Sequence, residues 1–324
     1  MLRSDGPGSF SRTLYLLDIA KLKPYSEFLL PLNQELESSG FDVLNSCNGL
    51  VCLARFLDKN PVLVCNPITQ EHIQIPRKFT GSRTISRIES ESESEIVASG
   101  FGFSSKSNQF KVIKIMNPRK YNYGSTGFEI GSYIRYAEVY ILGTSSWRKV
   151  TEFAPQSLHS FLFPTYWKET INWACVKDDK FDNIISFDFD NERFEIISPP
   201  PRHRTDSNCI RMQELGGCLS VCDCSSFSKY LDIWLMKDFS GKRLWRKVIT
   251  IRMWPFELKS IEPITFLNNG KLLLMVHDSK NLVCYNHLLE KFKYFKVSGI
   301  QSYFEAFSFV PNFLSLKDIV KGNC

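Results

Sequence analysis

One recurring unit limits what this chain can fold into: an apolar strand, a polar turn, and a second strand that often ends at Pro or Val. "VLVCNPITQEHIQIP" from Val62 shows it, with Val62, Val64, Ile73 and Ile75 marking the period-two alternation of paired strands with one buried face. The unit returns as "AEVYILGTSSWRKV" from Ala137, "IISFDFDNERFEIISPP" from Ile184, "LDIWLMKDFSGKRLWRKV" from Leu231 and "NLVCYNHLLEKFKYFKV" from Asn281, with a looser copy from Thr13. The residues just before each turn, Leu17, Cys65, Tyr140, Phe187, Trp234 and Tyr285, lie 48, 75, 47, 47 and 51 residues apart. The long interval contains a 23-residue polar tract, Arg77 to Ser99, and without it measures 52. A period near fifty belongs to blade-type repeats.

Each period also holds an upstream pair of β segments, such as "NGLVCLARF" from Asn48 and "PITFLNNGKLLLMV" from Pro263. Two pairs make about four strands, the content of one propeller blade. A four-stranded sheet cannot cover both of its faces alone, so such sheets must pack against one another in a ring. The chain ends together supply about one more period, and "YFEAFSFVP" from Tyr303 is expected to be an inner strand beside "RTLYLLD". Joining first and last strands removes open edges. The expected fold is therefore all-β: a β-propeller, six blades of about four strands, with seven the rival count, closed by N- and C-terminal strands. The predicted organisation is a disordered remnant over 1–12, the propeller over 13–315 with an acidic loop at 77–99, and a tail over 316–324. Helix is expected only at Leu316 to Lys321 and Pro31 to Ser38. Aromatic residues, 14% of the chain, suit such pleated surfaces.

Taken in order from Thr13 to Val310, the phrases "SCNGLVCL", "VLVCNPITQEHIQIP", "GFGFSSKSNQFKVIKI", "AEVYILGTSSWRKV", "IISFDFDNERFEII", "LGGCLSV", "LDIWLMKD" and "NNGKLLLM" resemble the F-box-associated domain of plant F-box and F-box/kelch-like proteins. The resemblance implies a substrate receptor of a Skp–cullin–F-box ubiquitin ligase, whose N-terminal F-box docks on the Skp adaptor while the β domain captures a protein target. Only "MLRSDGPGSFS" precedes the first predicted strand, so the F-box is expected to be absent and the Skp adaptor a partner only of a longer product. The expected activity is protein binding by a non-enzyme without cofactor or metal. The rival readings are a glycan-binding protein or enzyme with a central pocket, and a decaying fragment with no partner.

Other clusters are weighed against their plainer explanations. Cys218, Cys222 and Cys224 share one strand face and are soft zinc ligands by type, yet no fourth ligand stands near them and buried packing is favoured. His72, His159, His203, His277 and His287 form no metal or catalytic motif, and "HDS" at His277 to Ser279 cannot easily converge as a triad. "GFGF" at Gly100 begins a strand and is no phosphate cradle. "ESESESE" reads as a solvated insertion, with Ser90, Ser92 and Ser94 as candidate phosphorylation sites. "PPPRHRTD" from Pro199 and "KRLWRKV" from Lys242 form no basic stripe, so nucleic acid is disfavoured; Trp245 is expected to point inward, with Arg246 and Lys247 in solvent. Target contacts are placed on the inserts Arg77 to Ser99 and Asn117 to Gly131, the second holding Tyr121, Tyr123 and Phe128. No apolar run is long enough to span a bilayer, and ten cysteines without a secretory leader lead us to expect reduced thiols in cytoplasm or nucleus.

Overall fold

The structure, a computed structural model, describes residues 1–5, 13–18, 23–30, 40–55, 58–76, 94–118, 121–124, 127–130, 134–151, 154–156, 160–201, 206–224, 229–239, 242–252, 261–276, 281–297 and 303–321. Among these described residues, apolar runs split by turn residues become antiparallel strands, which pair into six four-stranded sheets. Sheet I holds β1 (Leu2–Asp5), β2 (Thr13–Asp18), β3 (Lys23–Leu29) and, from the far end of the chain, β26 (Tyr303–Ala306). Sheet II is β4 (Phe41–Cys47), β5 (Leu50–Arg55), β6 (Pro61–Asn66) and β7 (Glu71–Gln74). Sheet III is β8 (Ser94–Ser104), β9 (Gln109–Pro118), β12 (Tyr136–Ile141) and β13 (Trp147–Lys149), with the hairpin β10 (Tyr121–Gly124) and β11 (Gly127–Ile130) between β9 and β12. Sheet IV is β14 (Ser160–Trp167), β15 (Thr170–Lys177), β16 (Lys180–Asp188) and β17 (Arg193–Ile197). Sheet V is β18 (Ile210–Leu215), β19 (Cys218–Asp223), β20 (Tyr230–Phe239) and β21 (Lys242–Arg252). Sheet VI is β22 (Ile261–Phe266), β23 (Leu272–Val276), β24 (Asn281–Asn286) and β25 (Lys291–Lys296). A short helix, α1 (Leu316–Val320), follows. The result is an all-β propeller with four-stranded blades.

Burial follows the gaps between sheets. Leu14, Phe28 and Leu53 fill the space between sheets I and II, Cys52, Phe101 and Tyr140 that between II and III, and Ile113, Trp173 and Phe187 that between III and IV. Ile184, Met212 and Val221 join IV to V, and Ile233, Leu272 and Val283 join V to VI. Ile264, Leu282 and Phe304 then join VI back to I. The middle strands are thus covered on both faces. In β6, Leu63 and Cys65 face sheet I while Val64 faces sheet III, so every residue of that strand is buried. This corrects the expectation of a single buried face, which survives as alternation in strands such as β7. Sheets III and IV meet closely at "GFGF" in β8: a Cβ at Gly100 would run into Ile171, and one at Gly102 into the ring of Phe189.

Three boundaries differ from expectation. Leu2–Asp5, expected to be disordered, all pair with β26, and Leu2 and Arg3 pair with β2 on the other side, so antiparallel neighbours take up their backbone groups. Ser94 to Ser99, expected in the acidic loop, belong to β8; Ala98 and Ser99 are buried, and the Ser99 hydroxyl donates to the Lys59 carbonyl at 2.7 Å. The tail begins with the helix expected at Leu316 to Lys321, seen as α1, but it is docked: Leu316 is 1% exposed between sheets II and III. Pro31 to Ser38 lie outside the described residues.

Candidate functional site

The two ends of this architecture are unequal. At one end, strands are joined by turns of two to five residues, including Asn48-Gly49, Lys168-Glu169 and Gly216-Gly217. All six of those residues have positive φ, the backbone that lets a two-residue turn match strand twist. At the other end the connections reach the lengths of 75–93, 119–135 and 198–209. Strand direction places both predicted target-binding inserts at this long-loop end. Of the first, 77–93 lies outside the described residues, with Ser90 and Ser92 in it; Ser94 starts β8. Of the second, Asn117 and Pro118 extend β9, and β10 pairs with β11 so that Tyr121 stands opposite Ile130 and Tyr123 opposite Phe128.

The tight-turn end is partly covered by the chain itself. The Asn66 amide donates to the carbonyls of Asn312 (3.0 Å) and Leu314 (2.8 Å), while its oxygen accepts from the Ile68 N–H at 2.9 Å. The Glu71 carboxylate accepts from the Leu316 N–H at 2.7 Å and the Ser315 hydroxyl at 3.3 Å. Gly49 lies under Asn312, and a Cβ on Gly143 would stand 3.0 Å from the Cα of Val320. Residues 312–320 are therefore seated on sheets II and III by side chains of quite different sequence position.

Along the axis the inner strands β4, β8, β14 and β22 each carry a bulge, at Leu44, Val97, Phe163-Pro164 and Ile264. Two of the cavities lie beside the bulges of β4 and β14. One, about 240 Å³, opens to the long-loop end among Asp42, Arg55, Lys59, Ser99, Phe161 and Trp173. The other, about 610 Å³, opens to the tight-turn end among Ser46, Asn48, Tyr166, Lys168, Glu214 and Glu262. Val43, Leu44, Phe163 and Pro164 line both, which makes them the waist between two vestibules. Phe163 is held at φ 54° with the Arg211 guanidinium 5.2 Å from its ring centre. The Trp173 indole donates to the Ser99 carbonyl at 2.9 Å, fixing the wall of the smaller vestibule. The acids of the larger one are engaged separately: Glu214 accepts the Gly217 N–H, and Glu262 faces Arg211 at 3.8 Å. The geometry offers apolar walls with scattered polar groups, a docking arrangement.

The remaining candidates separate. Cys218, Cys222 and Cys224 do share a face and pack into the cluster between sheets V and VI, where burial pushes the Cys222 and Cys224 thiols up. Among the described residues, no three His, Cys, Asp or Glu are grouped to hold a metal. His72 lies on β7 and His287 on an outer turn; His159, His203 and the whole "HDS" stretch are outside the described residues. Trp245 is half-buried and donates to the Ser198 carbonyl at 2.8 Å, while Lys247 donates to Asp232 at 2.9 Å and Arg246 is exposed. The docked C-terminal segment and the waist were not foreseen. Pro164 inside an apolar strand was the available sign of the bulge, since Pro removes a ladder donor.

The sequence profile of the F-box associated beta propeller domain matches residues 11–316. The chain is 29% identical over 297 residues to the F-box protein At3g07870 of Arabidopsis thaliana, across 82% of this chain and 68% of that one. It is 24% identical over 312 residues to the F-box protein CPR1 of the same plant, across 90% and 72%. Among solved structures, NanB with Optactamide is 8% identical at a TM-score of 0.46, over 82% of this chain and 62% of its own, a likeness that carries no argument about chemistry. Among the described residues, no helix is long and apolar enough to cross a membrane.

Proposed function

Because the chain belongs to the F-box associated beta propeller domain family, we propose that it is a target-recognition ring of six blades which holds a protein on its long-loop end. The observation that carries this reading is the inequality of the two ends. Residues 312–320 occupy part of the tight-turn end, whereas the long connections converge on the other, where variation costs the scaffold little. In keeping with relatives named F-box proteins, the proposal extends to a receptor role in a ubiquitin ligase, with a Skp adaptor engaged through an F-box in a longer product; residence in cytoplasm or nucleus is proposed with it. The role is binding rather than catalysis.

Affinity capture tests it. Proteins retained by the chain are identified, and capture is repeated after residues 77–93 and 119–135 are each replaced by short Gly-Ser linkers. The expected outcome is loss of the captured protein with an unchanged thermal midpoint. Full retention by the doubly replaced chain overturns the reading.

A further inference from the structure

We propose that Cys209 and Cys224 are a cross-strand dithiol that closes to a disulfide under peroxide, a modification site at the long-loop end of sheet V. The register places Ile210 opposite Asp223, so the next residues outward, Cys209 and Cys224, stand opposite each other. The Cys224 N–H donates to the Cys209 carbonyl at 2.7 Å, continuing the ladder. Opposed, hydrogen-bonded residues of antiparallel strands have Cα atoms roughly 5.5 Å apart, inside the range a disulfide spans. Both thiols are half-buried and border one small recess with Arg211 and Cys222.

No other pair of described cysteines is set this way. Cys52 and Cys65 are close in the fold but face opposite sides of sheet II, one toward sheet III and the other toward sheet I. Cys222 stands opposite Arg211 and Ile233. The Arg211 guanidinium lies beside Cys209 and donates to the carbonyls on either side of it, Asn208 at 3.4 Å and Ile210 at 2.7 Å. Burial first, and then the neighbouring Cys209, hold the Cys224 thiol up.

In the first step the Cys209 sulfur attacks hydrogen peroxide, the O–O bond breaks, and one water leaves a sulfenic acid. Cys224 then attacks that sulfur; the S–S bond forms, the S–O bond breaks, and a second water departs. Two thiols give up two electrons and two protons, and peroxide is reduced to two waters. The link fastens the segment entering β18 to the segment leaving β19.

The test treats the full chain with hydrogen peroxide, blocks the remaining thiols, and maps peptides without reduction. The expected product joins Cys209 to Cys224, with two fewer alkylatable thiols, reversal by dithiothreitol, and formation retained in the Cys222→Ser variant. A Cys222–Cys224 link in its place, sulfinic acid at either position without a crosslink, or both thiols still alkylatable after treatment overturns the proposal. None of these readouts depends on capture of a target.

Discussion

Lys111 is 4% exposed, which requires its charge to be met by partners inside the protein. Its ammonium donates to the Phe189 carbonyl at 2.8 Å and to Glu192 at 2.9 Å, and Arg148 grips the same carboxylate from the solvent side at 2.8 Å. The three side chains tie sheet III to the turn before β17, where Glu192 itself sits at φ 53°. Burial pushes the Glu192 carboxyl up, but Arg148 and Lys111 outweigh it and hold it below the ordinary range. A carboxyl depressed in the folded state stabilises above its unfolded pKa, and that stability drains away as pH falls through the folded one. Glu192→Gln is therefore expected to cost about 1–3 kcal/mol at pH 7, by leaving Lys111 without its anion, and to lose less stability than the parent between neutral pH and pH about 3. Urea unfolding at both pH values measures this. The sequence could not announce such a cluster. In "QFKVIKI" Lys111 and Lys114 stand on opposite faces of β9, Lys111 toward Phe189 and Lys114 over the Trp147 ring, and both are buried because neighbouring sheets cover both faces.

Strands and turns were legible because their causes are local: Asn48-Gly49 and Gly216-Gly217 accept left-handed backbone, and "LLLMV" is apolar because both faces of β23 are covered. Bulges and docked segments were not, since Phe163 and Leu316 take their places from residues far along the chain. The C-terminal segment shows what such distant contacts weigh. Leu316→Ala removes a buried side chain between sheets II and III and is expected to cost about 2–5 kcal/mol, read as a lower urea midpoint. Asn66→Ala leaves the Asn312 and Leu314 carbonyls unmet by that amide, with an expected loss of about 1–3 kcal/mol. Hydrogen exchange should then rise at residues 312–320 before it rises in β5 or β15. Uniform acceleration across the sheets would show instead that the segment is integral to the cooperative unit.

At the scale of the whole molecule, four residue pairs between β1 and β26, Leu2 with Ala306 through Asp5 with Tyr303, bind the two chain ends into sheet I. The repeat spacing predicted a closing sheet shared by both ends, though it assigned the first dozen residues to no structure. Deleting residues 1–5 leaves β26 and β2 without the strand that lies between them, with an expected loss of about 2–4 kcal/mol and a tendency to associate through the freed edges. Calorimetry and light scattering report the two effects. The same pairing fixes an exit route. The Met1 amino group donates to the Phe307 carbonyl at 2.9 Å, and β1 runs from there toward the long connections. Any polypeptide fused ahead of Met1 accordingly departs from the opposite pole, so that a tether on that side can hold the molecule to a support while its loop-bearing mouth faces freely outward.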